Sequence, residues 1–142
     1  MKSPLRTVAG PLAEGRTNKR EAAVLQFAEQ CQSVTWDFSK DGGAIGDISF
    51  GASLPAGAVV TALCVDKETA VTGATAVTLK AGSTALSDAL NLVTIGTTSC
   101  PALASSATAI KLAASSELKI SIATAAATAG KVTFYVRFLK KP

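Results

Sequence analysis

The sequence predicts a mainly β protein: a jelly-roll-like β-sandwich of seven or eight short strands, an extended N-terminal arm before it, and room for one short helix. Three observations carry this reading. From Ser33 onward, apolar residues recur with a period of 2. Turn signals built on glycine and proline return about every 10 residues. The stretch Asp41–Cys64, DGGAIGDISFGASLPAGAVVTALC, reads as strand, tight corner, strand. On this basis residues 1–32 form the arm with its helix candidate, and residues 33–142 form the sandwich.

Met1–Asn18 mixes Pro4, Gly10, Pro11 and Gly15 with polar and basic residues and shows neither period, so it is extended. Lys19–Gln32 supports two readings. Asn18 followed by Glu21 is an N-cap signature, and Val24, Phe27, Ala28 and Cys31 share a helical face. Ala23, Leu25 and Phe27 equally alternate as one side of a strand, and the helix is favoured only slightly. Val34, Trp36 and Phe38 then alternate with Thr35, Asp37 and Ser39 in a half-buried strand that closes on Lys40-Asp41-Gly42-Gly43.

Ile48 and Phe50 continue the alternation up to a turn on Gly51 and Leu54-Pro55-Ala56-Gly57. Ala58–Asp66 is apolar on both faces and is therefore a central strand. Glu68–Gly73 reads as a loop and Ala76–Lys80 as a strand with Val77 and Leu79 inward. Ser83–Leu90 is a helical turn or a capping loop, Asn91–Ile95 a short strand, and Gly96–Ser106 a long turn broken by Pro101. Thr108–Leu112, Glu117–Ala123 and Lys131–Leu139 close the sandwich, with Gly130 as the turn glycine of the last linker. Gly42, Gly43, Gly46, Pro55 and Gly57 are the structural turn residues. Gly46 and Gly57 are expected to adopt backbone geometry that a side chain resists.

The composition bounds the function. At 142 residues one domain is expected. The chain is 48% hydrophobic, but much of this is alanine. Leu, Ile, Val and Phe make up roughly a quarter, above the disorder threshold of about a fifth, so a thin core lined with small residues is expected. Only 17% of residues are charged, and subunit contact is the expected outlet for so bland a surface. The net charge of +4 is scattered and the 5% of aromatic residues do not interleave with it, which argues against nucleic-acid binding. No stretch is apolar enough for a secretory signal or a membrane span, and a soluble protein made in a cytoplasm is expected. Three cysteines, Cys31, Cys64 and Cys100, at wide unequal spacing read as buried reduced thiols.

No catalytic set emerges. The chain has no histidine, which removes Ser-His-Asp and Cys-His pairs and the ordinary zinc sites. Asp41-Gly42-Gly43-Ala44-Ile45-Gly46 superficially matches a phosphate-binding glycine loop, but a strand follows where a helix N-terminus is required. Ser116-Glu117-Leu118-Lys119 matches S-x-x-K, but on a strand residues three apart point to opposite faces. Cys100, before Pro101, has no neighbour to depress its pKa. Asp37, beside Trp36, is read as an outward strand residue. Asp66, Glu68 and Asp88 are too sparse for calcium. No cofactor, metal or catalytic residue is assigned.

Two segments carry a family likeness. DGGAxGDIxxGxxLPAGAVVT, Asp41–Thr61, and IxIATAAxTAGKVxxYV, Ile120–Val136, resemble patterns in capsid decoration (cement) proteins of tailed bacteriophages and the base domains of head fibres. The resemblance spans roughly Thr35–Leu139. It implies a β-sandwich subunit, commonly trimeric, on the outer capsid surface, bridging neighbouring major capsid proteins in the virion after synthesis in the host cytoplasm. Arg6, Arg16, Lys19 and Arg20 are then the candidate capsid contacts. The alternative expectation is a receptor- or glycan-binding module of a phage head or tail fibre. Such modules display aromatic residues on loops, whereas Trp36 and Tyr135 fall in strands.

Overall fold

The computed structural model describes residues 29–140. These residues form two antiparallel sheets packed face to face, the sandwich expected. One sheet has the order β1-β9-β3-β6, with β7 also pairing with β3, and the other the order β2-β8-β4-β5. The strands are β1 (Gln30–Asp37), β2 (Gly46–Leu54), β3 (Val59–Thr72), β4 (Ala76–Ala81), β5 (Thr84–Ala85), β6 (Thr98–Ser99), β7 (Ile110–Lys111), β8 (Ser116–Ala123) and β9 (Ala129–Leu139). A single helical turn, α1 (Phe38–Asp41), joins β1 to β2.

The alternating runs supply the core. Leu118, Ile120 and Ile122 of β8 and Val77, Leu79 and Ala81 of β4 face Val132, Phe134, Val136 and Phe138 of β9 across the sandwich. Trp36 and Val34 of β1 extend that layer, and Trp36 is fully buried with its indole N–H donating to the Gly42 carbonyl at 2.8 Å. Small residues do line the core, as expected, with Ala58, Ala74, Ala81 and Ala127 all buried.

The Asp41–Cys64 stretch is a corner between sheets, because β2 and β3 belong to different ones. Pro55 accepts a bond from the Ala58 N–H, and Gly57 occupies the turn with φ +80°. Gly46 (φ +129°) and Gly42 (φ +75°) are also left-handed. Gly43 is needed for another reason: a Cβ there would lie 2.5 Å from the Ala127 carbonyl oxygen. Gly51 belongs to no turn. It sits within β2, where the register against β8 shifts between Ser49 and Ser53.

β3 is central, between β9 and the short β6 and β7. Its register against β9 shifts between Val60 and Ala62, so the buried residues change from Val60 to Leu63 and Val65. That one-residue bulge explains why both faces of the run are apolar: each supplies the core on one side of it.

Other expectations are corrected. Phe38 and Ser39 leave the strand, because Asp37 accepts from the Ser39 N–H at 3.0 Å and caps α1. Glu68–Thr72 is strand rather than loop, since β3 keeps pairing with β9 as far as Thr72 opposite Ala129. Asn91–Ile95 is a turn: the Asn91 side chain accepts from the Val93 N–H at 3.1 Å, and its carbonyl accepts from Ile95. Gly130 lies in β9, where a Cβ would meet Val71. The Lys19–Gln32 helix candidate lies outside the described residues except at its end, where Gln30–Gln32 are strand.

The cysteine reading is overturned most clearly. Cys64 and Cys100 form a disulfide, and Cys31 is exposed. β6 pairs with β3 so that Ser99 lies opposite Val65 and Thr98 opposite Asp66. One step further along, that register sets Cys100 opposite Cys64, with Cα atoms 4.0 Å apart. Spacing along the chain carries no trace of this.

Candidate interaction surfaces

Among the described residues no group of three His, Cys, Asp or Glu side chains is placed to hold a metal ion. Asp88 accepts from the Ser105 N–H at 3.0 Å, and Glu68 bonds Thr133 and pairs with Lys131. Lys119 points outward toward Asp47 while Ser116 bonds the Ala114 carbonyl, so S-x-x-K is not assembled. The Asp41–Gly46 glycines lead into β2, as a turn would. Asp37 is occupied as the α1 cap. Arg6, Arg16, Lys19 and Arg20 lie outside the described residues. What the structure offers for function is surface, in three parts.

The outer face of the β2-β8-β4-β5 sheet is polar. Lys80 and Lys119 are directly opposed across β4 and β8, an unfavourable arrangement for like charges. Asp47 relieves it, 3.3 Å from the Lys119 ammonium and 4.0 Å from Lys80. A hydrogen bond from Ser121, another from Lys119 and the charge of both lysines hold the Asp47 carboxyl below the ordinary carboxylate range. Such a face is well solvated.

The outer face of the other sheet is ionic only at its ends. At one end Glu29 pairs with Arg137 and accepts from the Thr61 hydroxyl. At the other end Thr35 and Thr133 share a hydrogen bond at 3.0 Å, Thr133 donates to Glu68 at 2.8 Å, and Lys131 pairs with Glu68 at 3.5 Å. Between them lies an uncharged row, Ser33, Tyr135, Cys64 and Cys100, set by the β1–β9–β3 register.

The third part is the side of the sandwich where β1 and β2 are the last strands of their sheets. β1 pairs with β9 without a register shift over all 8 of its residues. It has no proline or lysine, and its sole charge is Asp37 at the far end. Edge strands are ordinarily protected by charge, proline or a bulge. β2 has its bulge and Asp47; β1 has no bulge, and its one charge stands at its last residue. Ile48, Phe50 and Ala52 of β2 pack against the core yet stay only half-buried, because among the described residues no strand lies beyond them. Phe50 reaches Phe134 with ring centroids 6.0 Å apart. An unprotected edge beside a half-covered apolar seam was not legible in the sequence, which does not say which strands end a sheet.

No family model matches this chain, and no curated protein does. Solved structures match its fold. A chain from the structure described as the cyanophage Pam1 capsid asymmetric unit superposes with TM-score 0.58 at 16% identity, covering 80% of this chain and 85% of that one. A chain from the acidic stable capsid structure of Helicobacter pylori bacteriophage KHP30 superposes with TM-score 0.55 at 10% identity, covering 81% and 90%. The sandwich is thus a fold that this chain shares with chains of two phage capsid structures.

Proposed function

We propose that this protein is a structural component of a tailed-phage virion. It seats on the outer capsid surface as an oligomer, a homotrimer, and stabilises contacts between neighbouring major capsid proteins. The fold likeness carries the reading: a sandwich covering most of this chain also covers most of two chains taken from phage capsids. The residue patterns of Asp41–Thr61 and Ile120–Val136 support the decoration type within that class. The fibre-module alternative gains nothing, because Trp36 is fully buried and Tyr135 stands in a strand.

The mechanism follows from multivalency. Three arms on one trimer make three linked contacts, and linkage raises avidity by about 10² to 10⁴ over a single one. Arg6, Arg16, Lys19 and Arg20 meet acidic patches on the capsid, and their charge speeds encounter and fixes register more than it adds affinity. Synthesis is in the host cytoplasm, and the place of work is the released virion. There a disulfide such as Cys64–Cys100 persists.

The test is co-sedimentation with capsids stripped of surface proteins. The full chain binds at a stoichiometry approaching that of the capsid protein, and a chain lacking Met1–Asn18 stays folded and oligomeric but does not bind. Undiminished binding by the shortened chain refutes the role of the arm. A full chain that ignores capsids refutes the function.

A further inference from the structure

We infer that the β1 edge and the seam beside it receive Ala22–Ala28 of a second copy of this chain, so that the subunits exchange strands. Two observations define the acceptor. The edge of β1 is eight residues long, without a bulge and without lysine or proline, and among the described residues nothing pairs with it. The inward side chains Ile48 and Phe50 of β2 are left half-buried next to it. A strand added beyond β1 would put alternate side chains over both.

The chain supplies a segment of matching chemistry. Ala22–Ala28, AAVLQFA, is uncharged between Glu21 and Glu29, contains no glycine or proline, and alternates Ala23, Leu25 and Phe27. Seven residues extend to about 23 Å, close to the roughly 26 Å of β1 at about 3.3 Å per residue. The segment ends where the described structure begins, at Glu29, which is tied to Thr61 and Arg137. To lie on its own β1 it would have to reverse direction immediately before Gln30. Tight hairpins need glycine, asparagine or aspartate, and no such residue occurs from Glu21 to Gln32. Reaching a neighbour needs no reversal. Exchange of an identical element between protomers is a low-cost route to a closed oligomer.

The inference rests on the self-association half of the proposed function and not on capsid binding, so it is tested without capsids. The full chain and its Leu25→Asp/Phe27→Asp variant are compared by mass in solution and by hydrogen exchange. The full chain is expected to be an oligomer with protected β1 amides. The variant is expected to be a folded monomer in which β1 amides exchange at least about tenfold faster while those of β8 are unchanged. An oligomer that survives the double substitution with β1 still protected overturns the proposal. So does a monomeric full chain whose β1 is protected, since its own arm would then be the occupant. Tyr135→Asp, on the outer sheet face away from the seam, is the control: it leaves the oligomer intact, and dissociation by it alone assigns the interface to that face and overturns the proposal.

Discussion

Removing the Cys64–Cys100 disulfide should lower stability by several kcal/mol, and the size follows from topology. The bond joins residues 36 apart in sequence. Closing a loop of that length removes about 13 cal/mol/K of entropy from the unfolded chain, or about 3.8 kcal/mol at room temperature. Unfolding roughly 110 ordered residues carries an entropy of about 0.23 kcal/mol/K, so the midpoint should fall by about 16 °C. The loss is not replaced locally. β6 contributes only the pairs at Thr98 and Ser99, supported by the Lys67 N–H to the Thr97 carbonyl at 2.7 Å. The assay is calorimetry of the full chain and of Cys64→Ser/Cys100→Ser, each with and without reductant. Reductant should reproduce the drop in the parent and change nothing in the variant, and Cys31→Ser should keep the parent's midpoint. A drop under about 3 °C would refute the reasoning, because the cross-link would then constrain little of the unfolded chain.

Three further outcomes are expected. Trp36→Ala should cost about 3–5 kcal/mol in denaturant unfolding, since it empties a fully buried site and leaves the Gly42 carbonyl without its donor; a cost below about 1 kcal/mol would contradict the packing described. Gly43→Ala should destabilise more than Gly57→Ala. A Cβ at Gly43 strikes the Ala127 backbone, whereas at Gly57 it meets open space and carries only the left-handed cost of about 1–2 kcal/mol; the reverse order of midpoints would show that the segment at Gly43 moves freely. The carboxyls of Asp47 and Asp37 both titrate below their ordinary value of 3.8, Asp47 chiefly through Ser121 and Asp37 chiefly through Ser39. Groups depressed in the folded state stabilise it above the unfolded pKa and cease to do so as pH falls through the folded one. Stability should therefore decline below about pH 4, and Asp47→Asn should flatten part of that decline; an unchanged acid limb in the variant counts against the Ser121 and Lys119 contacts.

Much of the sandwich was legible because its strongest signals are local. In β8 and β9 the alternation Leu118, Ile120, Ile122 and Val132, Phe134, Val136, Phe138 names the buried face directly, and the structure buries all seven residues. The corner at Pro55–Gly57 was equally legible, since a turn depends on its own few residues. The candidate surfaces were not. The Ser33–Tyr135–Cys64 row is assembled from strands far apart in sequence, and the β1/β2 seam exists only because of where the two sheets end.

The sequence by itself determined the class of fold, the inward faces of the long strands, the corner between sheets and the lack of histidine-based chemistry. Each depends on residue type and on spacing of a few positions. Only the tertiary structure decided that Cys64 meets Cys100, that β3 runs on to Thr72, that Asp37 caps a helical turn, and that β1 is an edge among the described residues. The physical reason is the same for the cysteines, β3 and the edge. Strand pairing is a choice between distant segments, fixed by the register that buries the most apolar surface, and a register one residue away would turn every side chain to the other face.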